Sequence, residues 1–175
     1  MSAATLVLGG ARSGKSAHAE RIALGTRLAP VYVATAQAFD DEMRARIARH
    51  RSDRAGGGWR TIEEPIDLPG AIREASTAET VILVDCLTLW LSNLMLGGHD
   101  VASAQAALLG AIDRAAGPLV LVSNEVGLGI VPETPLGRDF RDAQGRLNQA
   151  LAAAVPHVVF IAAGLPLVLK PGAEP

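Results

Sequence analysis

Apolar residues along this chain gather in short uniform runs instead of alternating with polar ones. Thr5–Leu8, Val31–Ala34, Val81–Val84, Leu119–Val122 and Val158–Ala162 are dominated by Leu and β-branched residues. Strands buried on both faces read this way. Between the runs lie segments with helix-compatible spacing: Ser16–Leu24, Asp41–Arg54, Leu87–Leu96, Ala102–Ala116 and Gly137–Ala154. Trp59–Glu64 predicts one further short strand. Strand–helix alternation of this kind predicts an α/β chain in three layers, a mostly parallel central sheet flanked by helices.

The punctuation between elements agrees. Asp40 and Asp41 supply acidic residues at the start of the helix running towards His50, and Gly56-Gly57-Gly58 stops it after Arg54. An irregular stretch from Asn124 to Pro135 follows a buried strand. A loop of that length at the carboxyl edge of a parallel sheet is where ligands sit. At 175 residues, without an internal repeat or linker, the chain reads as one domain spanning 1–175.

Composition narrows the class. With 49% hydrophobic but only 3% aromatic residues, the core is built mainly from Ala, Val, Leu and Ile. A net charge of −2 gives no reason to expect nucleic acid or an anionic membrane as a partner. Cys86 is the single cysteine, which excludes an intrachain disulfide or a multi-cysteine zinc site and suits a reducing compartment. No apolar stretch is long enough to span a bilayer, and the glycine-rich loop begins too early to leave room for a cleavable leader. A cytoplasmic protein without stable membrane insertion is the expectation.

The chemistry starts at Gly9-Gly10-Ala11-Arg12-Ser13-Gly14-Lys15-Ser16, which matches G-x-x-x-x-G-K-[ST] between a predicted strand and a predicted helix. Such a turn lays backbone N–H groups around phosphate oxygens, and the following helix directs its positive end at them. Lys15 would reach the terminal phosphates and the Ser16 hydroxyl would help hold Mg²⁺, which makes the fold P-loop NTPase-like. Val81-Ile82-Leu83-Val84-Asp85 is an apolar strand ending in a carboxylate. Asp85 reads either as a second Mg²⁺ contact or as a cap on the helix after it. Thr88 is a neighbour with ordinary helix content as its simpler meaning.

Met43 to Arg54 sets His50 among five arginines. Helical spacing puts Arg46, His50 and Arg54 on neighbouring turns of one face. Arginines nearby disfavour imidazolium, and a neutral imidazole is a nucleophile towards an α-phosphate. A solvated basic helix with an idle histidine is the plainer reading of the same pattern. Glu125, Glu133, Arg138, Arg141 and Asp142 are placed in or after the long loop, where a polar second substrate or local loop contacts would use them. Glu63 and Glu64 are ligand contacts or the polar end of a strand. His18, His99 and His157 read as structural or surface residues, and Cys86, Trp59 and Trp90 as packing.

Taken together, these motifs resemble a larger pattern. The loop Gly9–Ser16, Tyr32-Val33-Ala34-Thr35-Ala36, Asp41-Glu42-Met43 with Arg46-Ile47 and His50, and Trp59-Arg60-Thr61 with Glu63 form its first half. Val122-Ser123-Asn124-Glu125-Val126-Gly127, Gly129-Ile130-Val131-Pro132, Phe140-Arg141-Asp142 and Gly145 with Asn148-Gln149 form its second. In order and spacing the chain resembles the bifunctional adenosylcobinamide kinase / adenosylcobinamide-phosphate guanylyltransferase family. The resemblance implies two substrates, adenosylcobinamide and its phosphate, with ATP or GTP as phosphoryl donor and GTP as GMP donor. It implies a guanylylated histidine at His50, with Lys15 as the other catalytic residue. Nucleotide contacts would come from Gly9, Gly10, Ala11, Arg12, Ser13, Gly14, Lys15, Ser16, Ala34, Thr35, Ala36, Arg51, Ser52, Asp53, Arg54, Glu63 and Asp85. Mg²⁺ would rest on Ser16 and Asp85, and Glu125 is a candidate base or metal contact. The family often has two adjacent histidines in the nucleophile helix, whereas Arg49 precedes His50 here. A homotrimer is also implied. A monofunctional P-loop small-molecule kinase and a non-catalytic GTP-binding switch are the competing expectations.

Overall fold

A computed structural model describes residues 3–37 and 58–172. The predicted helix Asp41–Arg54 lies outside the described residues, as do His50 and Arg51, Ser52, Asp53 and Arg54.

In chain order the elements are β1 Ala4–Gly9, α1 Lys15–Gly25, β2 Ala29–Ala34, β3 Arg60–Glu63, α2 Leu68–Ala75, β4 Thr80–Asp85, α3 Leu87–Leu96, α4 Val101–Asp113, β5 Leu119–Asn124, α5 Pro135–Ala154, β6 His157–Ala162 and β7 Leu165–Lys170. The strands form one sheet ordered β3-β2-β4-β5-β1-β6-β7. Every pairing is parallel except β6 with β7. The five apolar runs are all strands, β3 lies within Trp59–Glu64, and the expected mostly parallel sheet flanked by helices is present.

Uniformly apolar strands need cover on both faces, and alternate residues supply it. Leu6, Leu8, Val31, Val33, Ile82, Val84, Leu119 and Leu121 turn to one side, where Ile72, Trp90, Leu91, Leu108, Ile112, Leu147 and Leu151 of α2–α5 pack on them. Val7, Tyr32, Leu83, Val120, Val122, Val159 and Ile161 turn to the other, against Ala19, Ile22 and Ala23 of α1. Small residues on α1 let the helix close on the sheet directly behind the glycine-rich loop. Trp90 is buried and its Nε1–H donates to Ile66 O at 2.8 Å, so it is a packing residue with its polar atom satisfied.

Two elements escape the sequence reading. Helix α2 is short; Asp67 caps it by accepting from Gly70 N at 3.0 Å, and Pro69 stands in its first turn. Strand β7 contains Pro166, which argues against a strand except at an edge, and β7 is an edge. It follows β6 through Ala163 and Gly164, both at positive φ (51° and 78°), a two-residue hairpin turn suited to strand twist.

Candidate active site

The parallel strands end together, and their register collects several predicted residues along one edge. Glu63 pairs with Ala34, Ala34 with Asp85, and Gly9 with Asn124. Residues scattered over more than a hundred positions thus share the carboxyl edge.

The loop between β1 and α1 is built for close approach. A Cβ on Gly9 would stand 2.6 Å from both Ile161 O and Ser13 Oγ. Gly14 has φ 97°, a left-handed conformation that glycine adopts without strain, and its Cα side lies against Gly164. Arg12 is also left-handed at φ 55°. Ser13 N–H donates to Gly10 O at 3.3 Å, and Ser13 O accepts from Gly164 N–H at 2.8 Å, so the β6–β7 turn braces the loop from below. Lys15 is 9% exposed and its Nζ donates to Gly10 O at 3.1 Å, holding the ammonium over the loop.

Helix caps mark this end of the molecule as different. Asp67, Asp100 and Thr134 cap α2, α4 and α5 with side-chain oxygens. Helix α1 begins at Gly14 with no side-chain cap and no acidic residue in its first turn. Its leading N–H groups and positive dipole end therefore face outward without an anion from the helix itself. An oxyanion bound in the loop would supply what the sequence omits.

Asp85 is not a helix cap. It ends β4, Cys86 takes the N-cap position of α3, and the Asp85 Oδ2 accepts the Tyr32 hydroxyl at 3.1 Å. Tyr32 is steadied edge-on by Trp59, with ring centroids 6.0 Å apart. Ser16 in the first turn of α1 and Asp85 offer hydroxyl and carboxylate oxygens, a hard donor set suited to Mg²⁺ that also holds phosphate oxygens. No cluster of three or more His, Cys, Asp or Glu residues that could hold a metal occurs among the described residues.

Thr35 faces inward. It is fully buried; its Oγ1 donates to Cys86 O at 2.7 Å and accepts from Cys86 N–H at 3.0 Å. Asn93 Nδ2 donates to Thr35 O at 2.8 Å and Pro65 O at 3.1 Å, tying the ends of β2 and β4 to the chain after β3. Cys86 is buried, and burial followed by the Asp85 charge pushes its thiol up to about 11. It is an inert packing thiol at neutral pH.

The later loop divides into braces and edge residues. Glu125 N–H donates to Gly9 O at 3.0 Å, which fixes its backbone beside the start of the phosphate loop, and its Oε1 accepts from Gly127 N within the later loop. Arg138 holds Pro132 O and Glu133 O at 3.0 and 2.8 Å, and Arg141 pairs with Asp142 at 3.0 Å. Glu64 accepts from Ile66 N and Asp67 N at 2.9 and 2.7 Å, a turn contact. Thr88 Oγ1 accepts from Asn124 N–H at 2.8 Å, a contact across 36 residues that no local pattern announces. Gly164 and Asn93 have no counterpart in the sequence reading, because their partners are distant in sequence; only the Ala-Gly pair before Leu165 carries a local turn signal.

Comparisons with known proteins place this geometry. Two solved structures share the fold at low identity. The flagellar accessory protein FlaH of Methanocaldococcus jannaschii has a TM-score of 0.53 at 15% identity, covering 98% of this chain and 81% of that one. A Pyrococcus horikoshii protein, PH0250, has a TM-score of 0.55 at 11% identity, covering 95% and 85%. Sequence relatives are much nearer. The bifunctional adenosylcobalamin biosynthesis protein CobP of Pseudomonas aeruginosa is 49% identical over 167 residues, 94% of this chain and 96% of its own length. The proteins named CobU of Escherichia coli and Salmonella typhimurium are each 42% identical over 180 residues, covering 94% of this chain and 98% of theirs. The family described as cobinamide kinase / cobinamide phosphate guanyltransferase matches residues 5–169. With the loop geometry, the sheet edge and nearly the whole sequence in agreement, the chain belongs to the cobinamide kinase / cobinamide phosphate guanyltransferase family.

Proposed function

We propose that this chain phosphorylates adenosylcobinamide with ATP or GTP and then transfers GMP from GTP to the new phosphate, with one phosphate loop serving both steps. The observation that carries this reading is the uncapped start of α1 at Gly14, with Lys15 folded over the loop, in a chain that matches the family from 5 to 169.

In the kinase step the aminopropanol hydroxyl oxygen of the substrate attacks the γ-phosphorus. The bond to the β–γ bridging oxygen breaks, the diphosphate leaves, and the hydroxyl proton goes to a base. Backbone N–H groups of Gly9–Ser16 hold the phosphates, and Lys15 spreads the charge that develops on the transferred group. Glu125 is the proposed base, since its backbone is bonded to Gly9 at the start of the loop. Ser16 and Asp85 would hold Mg²⁺, which when bound neutralises phosphate charge.

In the second step a neutral His50 nitrogen attacks the α-phosphorus of GTP and pyrophosphate leaves. An oxygen of adenosylcobinamide phosphate then attacks the guanylyl phosphorus, the P–N bond breaks, and adenosylcobinamide-GDP is released with His50 restored. Arg51 and Arg54 are proposed to offset phosphate charge, while Ser52, Asp53, Glu63 and the Ala34–Ala36 backbone contact the nucleotide. Location in the cytoplasm and a homotrimer complete the reading. Exposed Leu165, Leu167, Val168 and Leu169 on the edge strand β7 support self-association, because an apolar sheet edge invites cover.

Incubation with α-labelled GTP tests the nucleophile. Wild-type protein should acquire acid-labile, base-stable label, and His50→Ala should acquire none; equal labelling of both overturns the assignment. Lys15→Ala should slow both reactions by roughly 100-fold or more. Kinase turnover without any label on the wild type would leave a monofunctional kinase.

A further inference from the structure

Strand β2 and the residue after it grip the end of β4 through backbone and side chain together. Thr35 N–H donates to Asp85 O at 3.4 Å, and Thr35 Oγ1 holds both backbone groups of Cys86. The remaining contact is to the carboxylate itself, where the Tyr32 hydroxyl donates to Asp85 Oδ2 at 3.1 Å. In the β2–β4 register Tyr32 stands beside Leu83 and Ala34 beside Asp85. Tyr32 and Asp85 therefore lie on one face of the sheet as diagonal neighbours, a separation that an aromatic side chain spans. That face is the one α1 covers behind the phosphate loop.

Packing does not require the hydroxyl. Tyr32 is buried in an apolar cluster with Val81 and Leu83, and Trp59 meets its ring edge-on at 6.0 Å. A phenylalanine would fill that space with no polar atom to satisfy. What the hydroxyl adds is direction. The terminal torsion of an aspartate is soft, so a half-buried carboxylate at a strand end turns freely unless something holds it. Here Oδ2 is tied to a hydroxyl whose ring is wedged by its neighbours, while Oδ1 takes no hydrogen bond or ion pair among the described residues. One oxygen is anchored to the protein and the other is left for a partner from outside it. Hydrogen bonds of this kind orient the carboxylates that ligate metals, and their loss costs about 10- to 100-fold in metal affinity.

We infer that Tyr32 is the positioning residue of Asp85, its hydroxyl turning the carboxylate so that Oδ1 meets the Mg²⁺ of the bound nucleotide. This rests on the kinase and guanylyltransferase reading with Asp85 as a Mg²⁺ contact, so the first control is wild-type turnover of adenosylcobinamide with GTP. Absence of turnover rejects that reading, while nucleotide binding decides Tyr32 separately.

Binding of β,γ-imido-GTP is measured by calorimetry with Mg²⁺ and with EDTA in a His50→Ala background, where no GMP is transferred. The ratio of the two affinities is the gain that Mg²⁺ brings. Tyr32→Phe should cut that gain about tenfold while affinity in EDTA stays within about twofold. Asp85→Asn should cut it at least as far, and the double variant no further than Asp85→Asn alone, because the hydroxyl acts only through the carboxylate. Mn²⁺ titrated into the nucleotide complexes and followed by electron paramagnetic resonance should rank the variants in the same order. An unchanged gain in Tyr32→Phe overturns the inference, as does a double variant that loses the product of the two single losses. Equal falls with Mg²⁺ and with EDTA, together with a lowered melting temperature, mark a purely structural role and overturn it too. If Asp85→Asn leaves the gain intact, Asp85 is no metal contact and the inference falls, whereas the kinase reading still stands on turnover. If Tyr32→Phe does not fold, 4-aminophenylalanine and 4-methylphenylalanine at position 32 decide: the ring that donates should keep the gain and the methylated ring lose it, and equal gains overturn the inference.

Discussion

Two strand-to-helix junctions meet at the carboxyl edge of the sheet, and they solve the same problem in opposite ways. Both β1→α1 and β4→α3 lead into helices without side-chain caps. At β4→α3 the protein satisfies the turn itself: Thr35 bonds both the N–H and the C=O of Cys86, and Asn93 bonds Thr35 in turn. At β1→α1 two glycines, a left-handed arginine and an uncapped helix start leave backbone donors pointing outward. One junction is closed by protein and serves as a wall; the other awaits an anion. Adjacent turns in one sheet can therefore differ in purpose while agreeing in topology, and the difference lies in where their polar groups find partners.

The contrast can be broken first at its open side. Gly9→Ala places a Cβ 2.6 Å from Ile161 O and Ser13 Oγ, so the loop must shift. Nucleotide affinity should fall by about 100-fold, roughly 2.7 kcal/mol, measured by calorimetry with GTP. Affinity within twofold of wild type would show that the loop tolerates the displacement. On the closed side, Thr35→Val deletes the hydroxyl that serves both Cys86 groups. Folding stability should drop by about 1 to 2 kcal/mol, seen as a lower urea midpoint at constant slope. A midpoint equal to wild type would mean the brace is redundant. A comparable effect, confined to alkaline pH, concerns the Cys86 thiol, raised from 9.0 to about 11 by burial and then by Asp85. Between those values the unfolded chain has released the proton while the folded chain keeps it, so stability should fall as pH rises from 9 to 11. The difference in stability between wild type and Cys86→Ala should narrow over that window. At pH 8, iodoacetamide should label Cys86 in urea but not in the folded protein.

Sequence legibility followed the range of the interaction. Val81–Val84 and its companions announce buried strands because burial on both faces leaves a purely local mark. Gly9–Ser16 announces a phosphate loop because its glycines, Lys15 and Ser16 fall within eight consecutive residues. Strand β7 was missed because Pro166 opposes a strand locally and only the edge position removes the objection. Asp85 kept two readings until the structure put Cys86 at the cap and Tyr32 on its carboxylate. Thr35 and Asn124 have opposite fates, one turned inward and one set beside Gly9, which no periodicity could separate because their partners lie 24 to 115 residues away.

The brace between Gly164 and Ser13 has a consequence for how the molecule is made. The phosphate loop leaves the ribosome well before the turn that supports it, since Ser13 precedes Gly164 in the chain. The stretch through β6 must therefore be synthesised before the loop acquires its final backing, and β1 cannot take its place between β5 and β6 any sooner. Long-range closure of this kind slows folding. Nucleotide is accordingly a late passenger, able to stabilise the finished domain by binding but unable to template its N-terminal part during synthesis.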